Sequence, residues 1–182
     1  MNRALLLIDL QNDYFPHGRM ELVGAEAAVS AAARVLGRFR AAGEPVVHIQ
    51  HVSVQPGATF FLPGTEGLTI HPSVAPLLGE TILTKHFPNS FRDTGLHAHF
   101  QGLDLTELVV CGMMSHMCVD TTVRAAFDLG YTVTLVPAAC ATRDLVFEGQ
   151  TIPAAAVHGA YMAALGSVFA ALRRPDDPLP AG

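Results

Sequence analysis

Asp9 closes the apolar run Ala4–Ile8, Lys85 follows Thr81–Leu83, and Cys118 stands just beyond Leu108–Cys111, where a helix should begin. A cysteine near a helix start meets unpaired amides and the positive end of the helix dipole, which favour thiolate over thiol. An ammonium such as Lys85 pushes the same way. A carboxylate ending a buried strand is costly to desolvate unless it faces a cation, and Lys85 is such a cation. Together the three supply a nucleophile, a charge that steadies it and a group able to carry a proton. The backbone N–H groups of Met114 and Cys118 can serve as an oxyanion hole. Each residue alone also has an ordinary reading: a structural cysteine, a turn carboxylate, a solvated lysine.

The elements that must position these residues are short apolar runs alternating with helix-like stretches. Ala4–Ile8, Pro45–Ile49, Thr81–Leu83, Leu108–Cys111 and Thr132–Val136 lack period-two alternation, as strands of a parallel sheet covered on both faces do. Ala25–Phe39, Val119–Leu129 and a segment from Thr151-Ile152-Pro153 to about Leu165 carry helical spacing; Thr151 and Ser115 are the expected caps. Val168–Leu172 reads as a last edge strand or as more helix, with the strand preferred. The fold class is therefore α/β: a doubly wound, mostly parallel sheet of five or six strands with helices on both faces. Residues 1–174 form one domain and 175–182 a flexible tail. Sites of such sheets lie beyond the carboxyl ends of the strands, where Asp9, Lys85 and Cys118 all fall.

Composition narrows the function. The chain has 182 residues, half of them hydrophobic and 15% charged, which suits a filled core. A net charge of −5 and the lack of a Lys/Arg-rich run argue against nucleic acid. No apolar stretch is long enough to span a membrane. Asp9 interrupts the N-terminal apolar run too early for a secretory leader, and three cysteines do not suggest a disulfide framework, so a cytoplasmic location is expected. Cys111 and Cys140 read as small buried hydrophobes. Neither a Gly-x-Gly-x-x-Gly nor a Walker pattern occurs, and no organic cofactor is expected.

Three stretches, Leu6-Leu7-Ile8-Asp9-Leu10-Gln11-Asn12-Asp13, Lys85-His86-Phe87-Pro88-Asn89-Ser90-Phe91 and Val110-Cys111-Gly112-Met113-Met114-Ser115-His116-Met117-Cys118-Val119, resemble the isochorismatase-like cysteine hydrolases. Thr121–Gly130 and Ala138-Ala139-Cys140-Ala141-Thr142 continue the likeness, which covers roughly residues 4–172. The resemblance implies a triad of Asp9, Lys85 and Cys118, a non-proline cis peptide in the Gly112-Met113-Met114 turn, and hydrolysis of a C–N bond through a Cys118 thioester. It also implies a homo-oligomer.

Within the family, nicotinamidases carry a metal on an Asp-x-His pair and a further His; the matching stretch here is His48-Ile49-Gln50-His51-Val52-Ser53, without an aspartate. No metal is expected, although His48, His51 and His71 are the residues to inspect. True isochorismatases lack a cysteine at the nucleophile position, so Cys118 points to amide or carbamoyl chemistry on a small molecule. The pocket nominees are Gln11, Phe15, Phe60, Phe61, Asn89, Met113 and His116, with the long loop His51–Pro76 as a lid or binding loop. Two other classes compete. One is a thiol redox or peroxide-sensing protein using Cys118; the other is a catalytically idle interaction domain.

Overall fold

The computed structural model describes residues 2–178. In chain order the main elements are β1 (Arg3–Ile8), α1 (Ala25–Ala42), β2 (Val46–His51), β3 (Thr81–Lys85), α2 (Leu96–Gly102), β4 (Glu107–Met113), α3 (Asp120–Asp128), β5 (Thr132–Ala141), β6 (Leu145–Phe147), β7 (Gln150–Ile152), α4 (Ala154–Val168) and β8 (Ala171–Leu172). Six strands form one sheet in the order β3-β2-β1-β4-β5-β8, every pair parallel. This is the expected doubly wound α/β sheet. β1 lies at its centre, and Ala4, Leu5, Leu6 and Ile8 are fully buried because both strand faces are covered.

One face packs under α1, whose buried row Val29, Ala32, Val35, Leu36 and Phe39 meets Leu5, Leu7 and Val109. The other face packs under the remaining helices through Leu96, Phe100, Val123, Met162 and Leu165. β1 and β4 approach closely at Ile8 and Gly112, which are register partners. A Cβ on Gly112 would lie 2.3 Å from the Ile8 carbonyl oxygen, so only glycine fits there. That approach sets the spacing between Asp9, just past β1, and the turn that leaves β4.

Several boundaries differ from the sequence reading. β5 does not stop before Pro137; it passes an irregularity and resumes, with Gly112 opposite Cys140 and Met113 opposite Ala141. The segment Val168–Leu172 is mostly not strand: α4 runs through Val168 and only Ala171–Leu172 pair with β5. The α4 start is capped by Asp144, whose Oδ1 accepts the Ala154 amide at 2.7 Å, and not by Thr151, which lies in the β6–β7 hairpin. Hairpin and α2 were both unforeseen. The tail expected from residue 175 begins with a buried Pro175, whose carbonyl accepts from Arg38 of α1, while residues 179–182 of that tail lie outside the described residues. No helix among the described residues is long and apolar enough to cross a membrane.

Candidate active site

Asp9 is the first residue past β1. Its backbone has turned into the left-handed region, with φ of 52°, and its amide still donates to Ile49 of β2 at 3.0 Å. The turn carries the carboxylate into the interior, where the side chain is fully buried. Lys85 ends β3 and is 1% exposed, which a lysine accepts only with a full set of acceptors around its ammonium. One ion-pair partner and two acceptors surround it. Lys85 Nζ lies 2.7 Å from Asp9 Oδ2, 3.1 Å from Cys118 Sγ and 2.8 Å from His51 Nδ1. The Asp9 contact is an ion pair by distance, but its angles fall short of hydrogen-bond geometry, since neither carboxylate oxygen has a hydrogen-bond partner among the described residues.

Cys118 reaches this point on a π-helical turn, Ser115–Val119, that runs directly into α3. Such one-turn π segments re-aim side chains within a helix. The preceding Met113–Met114 peptide is cis. Ser115 does not cap the helix, contrary to the sequence reading, because the residue at the cap position is Met114. Its hydroxyl instead donates to Ala141 of β5 at 3.3 Å and bonds His158 of α4 at 2.8 Å, fixing the turn against two other elements.

The electrostatics correct one expectation. Burial first, and the Asp9 carboxylate second, push the Cys118 thiol well above its ordinary pKa, outweighing the lowering effect of Lys85. At rest the sulfur is therefore a thiol, and its proton must be taken before it can attack. Burial works against the Lys85 charge, but Asp9 and Cys118 more than offset it, and the lysine pKa is raised. His51 is driven down to about 4, by burial and then by the neighbouring Lys85 charge. Tyr14 is buried beside the site, and its pKa is raised by burial and then by Cys118 and Asp9.

The isochorismatase-domain family model matches residues 3–165. The chain belongs to the isochorismatase family of hydrolases. It is 51% identical over 173 residues to the uncharacterized isochorismatase family protein YddQ of Bacillus subtilis, covering 95% of this chain and 96% of that one. It is 40% identical over 174 residues to streptothricin hydrolase of Streptomyces noursei, covering 90% of this chain but 59% of the relative. A solved structure of isochorismatase-hydrolase type from Oleispira antarctica superposes with a TM-score of 0.92 at 48% identity, over 96% of this chain and 94% of that one.

Within this isochorismatase-family fold the pocket nominees fall into two groups. Gln11 is fully buried and both ends of its amide are used: Nε2 donates to the His51 and Leu68 carbonyls, and Oε1 accepts the His51 amide. It is scaffold, not a group open to substrate. Met113 is fully buried against the α1 side. Phe61 is buried too, its amide held by Asp13, with Tyr14 and Phe60 packed on it at ring-centre distances of 4.6 and 4.9 Å. This aromatic group stands next to His51, whose ring centre is 5.9 Å from that of Phe61. Asn89 is half-buried and its Oδ1 caps the Phe91 amide; His116 is half-buried and bonded to Thr142 at 2.6 Å. Phe15 packs against His71 with ring centres 4.0 Å apart and lines a cavity of about 770 Å³ with Asn12, Arg19 and Glu66. None of Asp9, Lys85 and Cys118 lines that cavity.

His48, His51 and His71 do not converge on one point. His48 bonds Glu80 at 2.9 Å, His71 caps Ser73, and His51 joins Lys85. Asp9, His51 and Cys118 do bring donor atoms within 4.8 Å of one another. The ammonium of Lys85 already stands among them, so this donor set fits a protonated amine and not an added metal ion. Sequence reasoning missed His51 in this role. The available signal was position: His51 ends β2 and is the register partner of Lys85.

Proposed function

We propose that the chain hydrolyses a C–N bond of a small amide, or of a carbamoyl compound, through a thioester on Cys118. The observation that carries this reading is the fully buried Lys85 ammonium at 2.7 Å from Asp9 and 3.1 Å from Cys118. A buried carboxylate next to a thiol held protonated is the arrangement a general base needs. As Sγ attacks the substrate carbonyl, its proton passes to Asp9. Charge then develops on the carbonyl oxygen, where the Met114 and Cys118 amides serve as donors. Asp9 returns the proton to the departing nitrogen, and ammonia or an amine leaves. Water attacks the thioester with Asp9 again taking the proton, which restores the thiol and frees the acid. Lys85 stays charged throughout and steadies whichever of Asp9 and Cys118 is anionic.

The similarity to streptothricin hydrolase supports hydrolysis within this family. The redox alternative finds less support, because a thiol raised in pKa and 5% exposed is a slow target for peroxide. Cys111 packs on the opposite face of the sheet from Cys118.

The test is ammonia release over a panel of small primary amides and N-carbamoyl compounds, with wild type beside Cys118→Ala, with and without chelator. Release by wild type alone, unchanged by chelator, is the expected result. Equal release by Cys118→Ala overturns the reading.

A further inference from the structure

A lysine ammonium has three N–H donors and no acceptor. In this site three groups surround the ammonium: Asp9 Oδ2 as its ion-pair partner, and Cys118 Sγ and His51 Nδ1 as hydrogen-bond acceptors, from the end of β1, the π-helical turn and the end of β2. The first two have tasks in the reaction proposed above. The third has none.

We propose that His51 is a positioning residue: its Nδ1, carrying no proton, takes one N–H of Lys85 and so holds the ammonium between Asp9 and Cys118. This rests on the hydrolase reading, which it deepens. Three observations carry it. The 2.8 Å contact requires a lone pair on Nδ1, because an ammonium cannot accept a hydrogen bond. The imidazole is therefore neutral with its proton on Nε2, and the lowering of its pKa to about 4 agrees with that assignment. The residue is also built to stay put. Its backbone is clamped by Gln11 at 2.7 and 2.9 Å, its ring lies beside Phe61, and parallel strand register sets it opposite Lys85.

The consequence is directional control. A lysine side chain has four rotatable bonds, and two anchors leave the ammonium free to swing about the line joining them; a third removes that freedom. The groups that face the His51 ring and set its charge are Lys85 and His86, which disfavour the imidazolium, and Asp9, which favours it. Protonating His51 would place two cations in contact and leave one Lys85 N–H without an acceptor. The acid limb of activity should therefore include His51, near pH 4.

The experiment compares His51→Leu, which fills the space without an acceptor, with His51→Asn, whose amide oxygen falls close to the position of Nδ1. Two readouts are taken: steady-state ammonia release, and the pH dependence of Cys118 alkylation by iodoacetamide, followed by mass spectrometry. His51→Leu should lower kcat by about ten- to a hundredfold, as expected for one lost hydrogen bond to a charged group, with KM little changed. It should also slow alkylation of Cys118 at neutral pH and shift its pH profile. His51→Asn should recover most of both. Wild-type kcat and alkylation profile in His51→Leu would overturn the proposal, as would an Asn variant no better than Leu. If His51→Leu does not fold, the wild-type protein still decides the matter by ¹⁵N NMR of labelled histidine. An Nδ1 of His51 that is unprotonated and hydrogen-bonded at neutral pH supports the role, and a protonated Nδ1 overturns it. Alkylation and NMR need no substrate, so they separate a failure of this proposal from a failure of the hydrolase reading.

Discussion

Gln11 holds the backbone of His51 from both sides, its Oε1 accepting the His51 amide at 2.7 Å and its Nε2 donating to the His51 carbonyl at 2.9 Å. The same Nε2 also donates to Leu68 at 2.9 Å, so one side chain just past β1 ties β2 to the long loop that follows it. Gln11→Met keeps the volume and removes every one of these bonds. It should destabilise the protein by about 1–3 kcal/mol, the cost of taking its partner from the His51 amide and carbonyl, while the Leu68 carbonyl keeps the Gln50 donor. Thermal unfolding measures this. Because the mutation loosens the strand end that carries His51, kcat should fall as well, while an unchanged Tm would show that the clamp is not needed.

Asp9 and Lys85 are both fully buried and depend on each other. Lys85→Met leaves a buried carboxylate without a cation, which should cost about 3–5 kcal/mol. Adding Asp9→Asn to Lys85→Met removes the orphaned charge, so the double variant should be more stable than Lys85→Met alone. Urea unfolding of the two single variants and the double closes this cycle. Strict additivity would show that the pair is not coupled.

Glu80 gives stability at mildly acid pH that should disappear on further acidification. Its hydrogen bonds from Arg40, at 2.7 and 2.8 Å, outweigh burial, and with help from the Leu77 amide and His48 they hold its carboxyl at about 2, against an ordinary 4.5. A depressed carboxylate pKa means that the unfolded chain binds the proton first as pH falls. The contribution is therefore complete above 4.5 and drains away as pH falls toward 2. Urea midpoints measured between about pH 5 and about pH 3 should drop more steeply for wild type than for Glu80→Gln. Equal slopes would remove Glu80 from the acid response.

Much of the fold was legible because burial on both faces leaves strong marks in sequence. Ala4–Ile8 reads as a buried parallel strand from five apolar residues in a row, and the residues at the carboxyl ends of three such strands are the ones the fold gathers. What was not legible depends on contacts distant in sequence. His51 lies 34 residues before Lys85 and reaches it only through strand register. Asp144 caps α4 across the β6–β7 hairpin, ten residues away. The state of the thiol was misjudged for a related reason. Helix position and a nearby lysine can be read from sequence, whereas the depth of burial that outweighs them for Cys118 cannot. The pocket nominees show the same limit: Phe61 and Met113 sit at suggestive positions, yet both are spent on packing.

Hydrolysis as proposed passes through a covalent bond to Cys118. Once the amide screen yields a substrate, the most direct measurement is peptide-level mass spectrometry of enzyme quenched with acid during turnover. The expected result is an added mass equal to the acyl part of the substrate on the peptide containing Cys118, and none on the peptides containing Cys111 or Cys140. Steady ammonia release from a Cys118→Ala protein, with no such adduct in wild type, would contradict it.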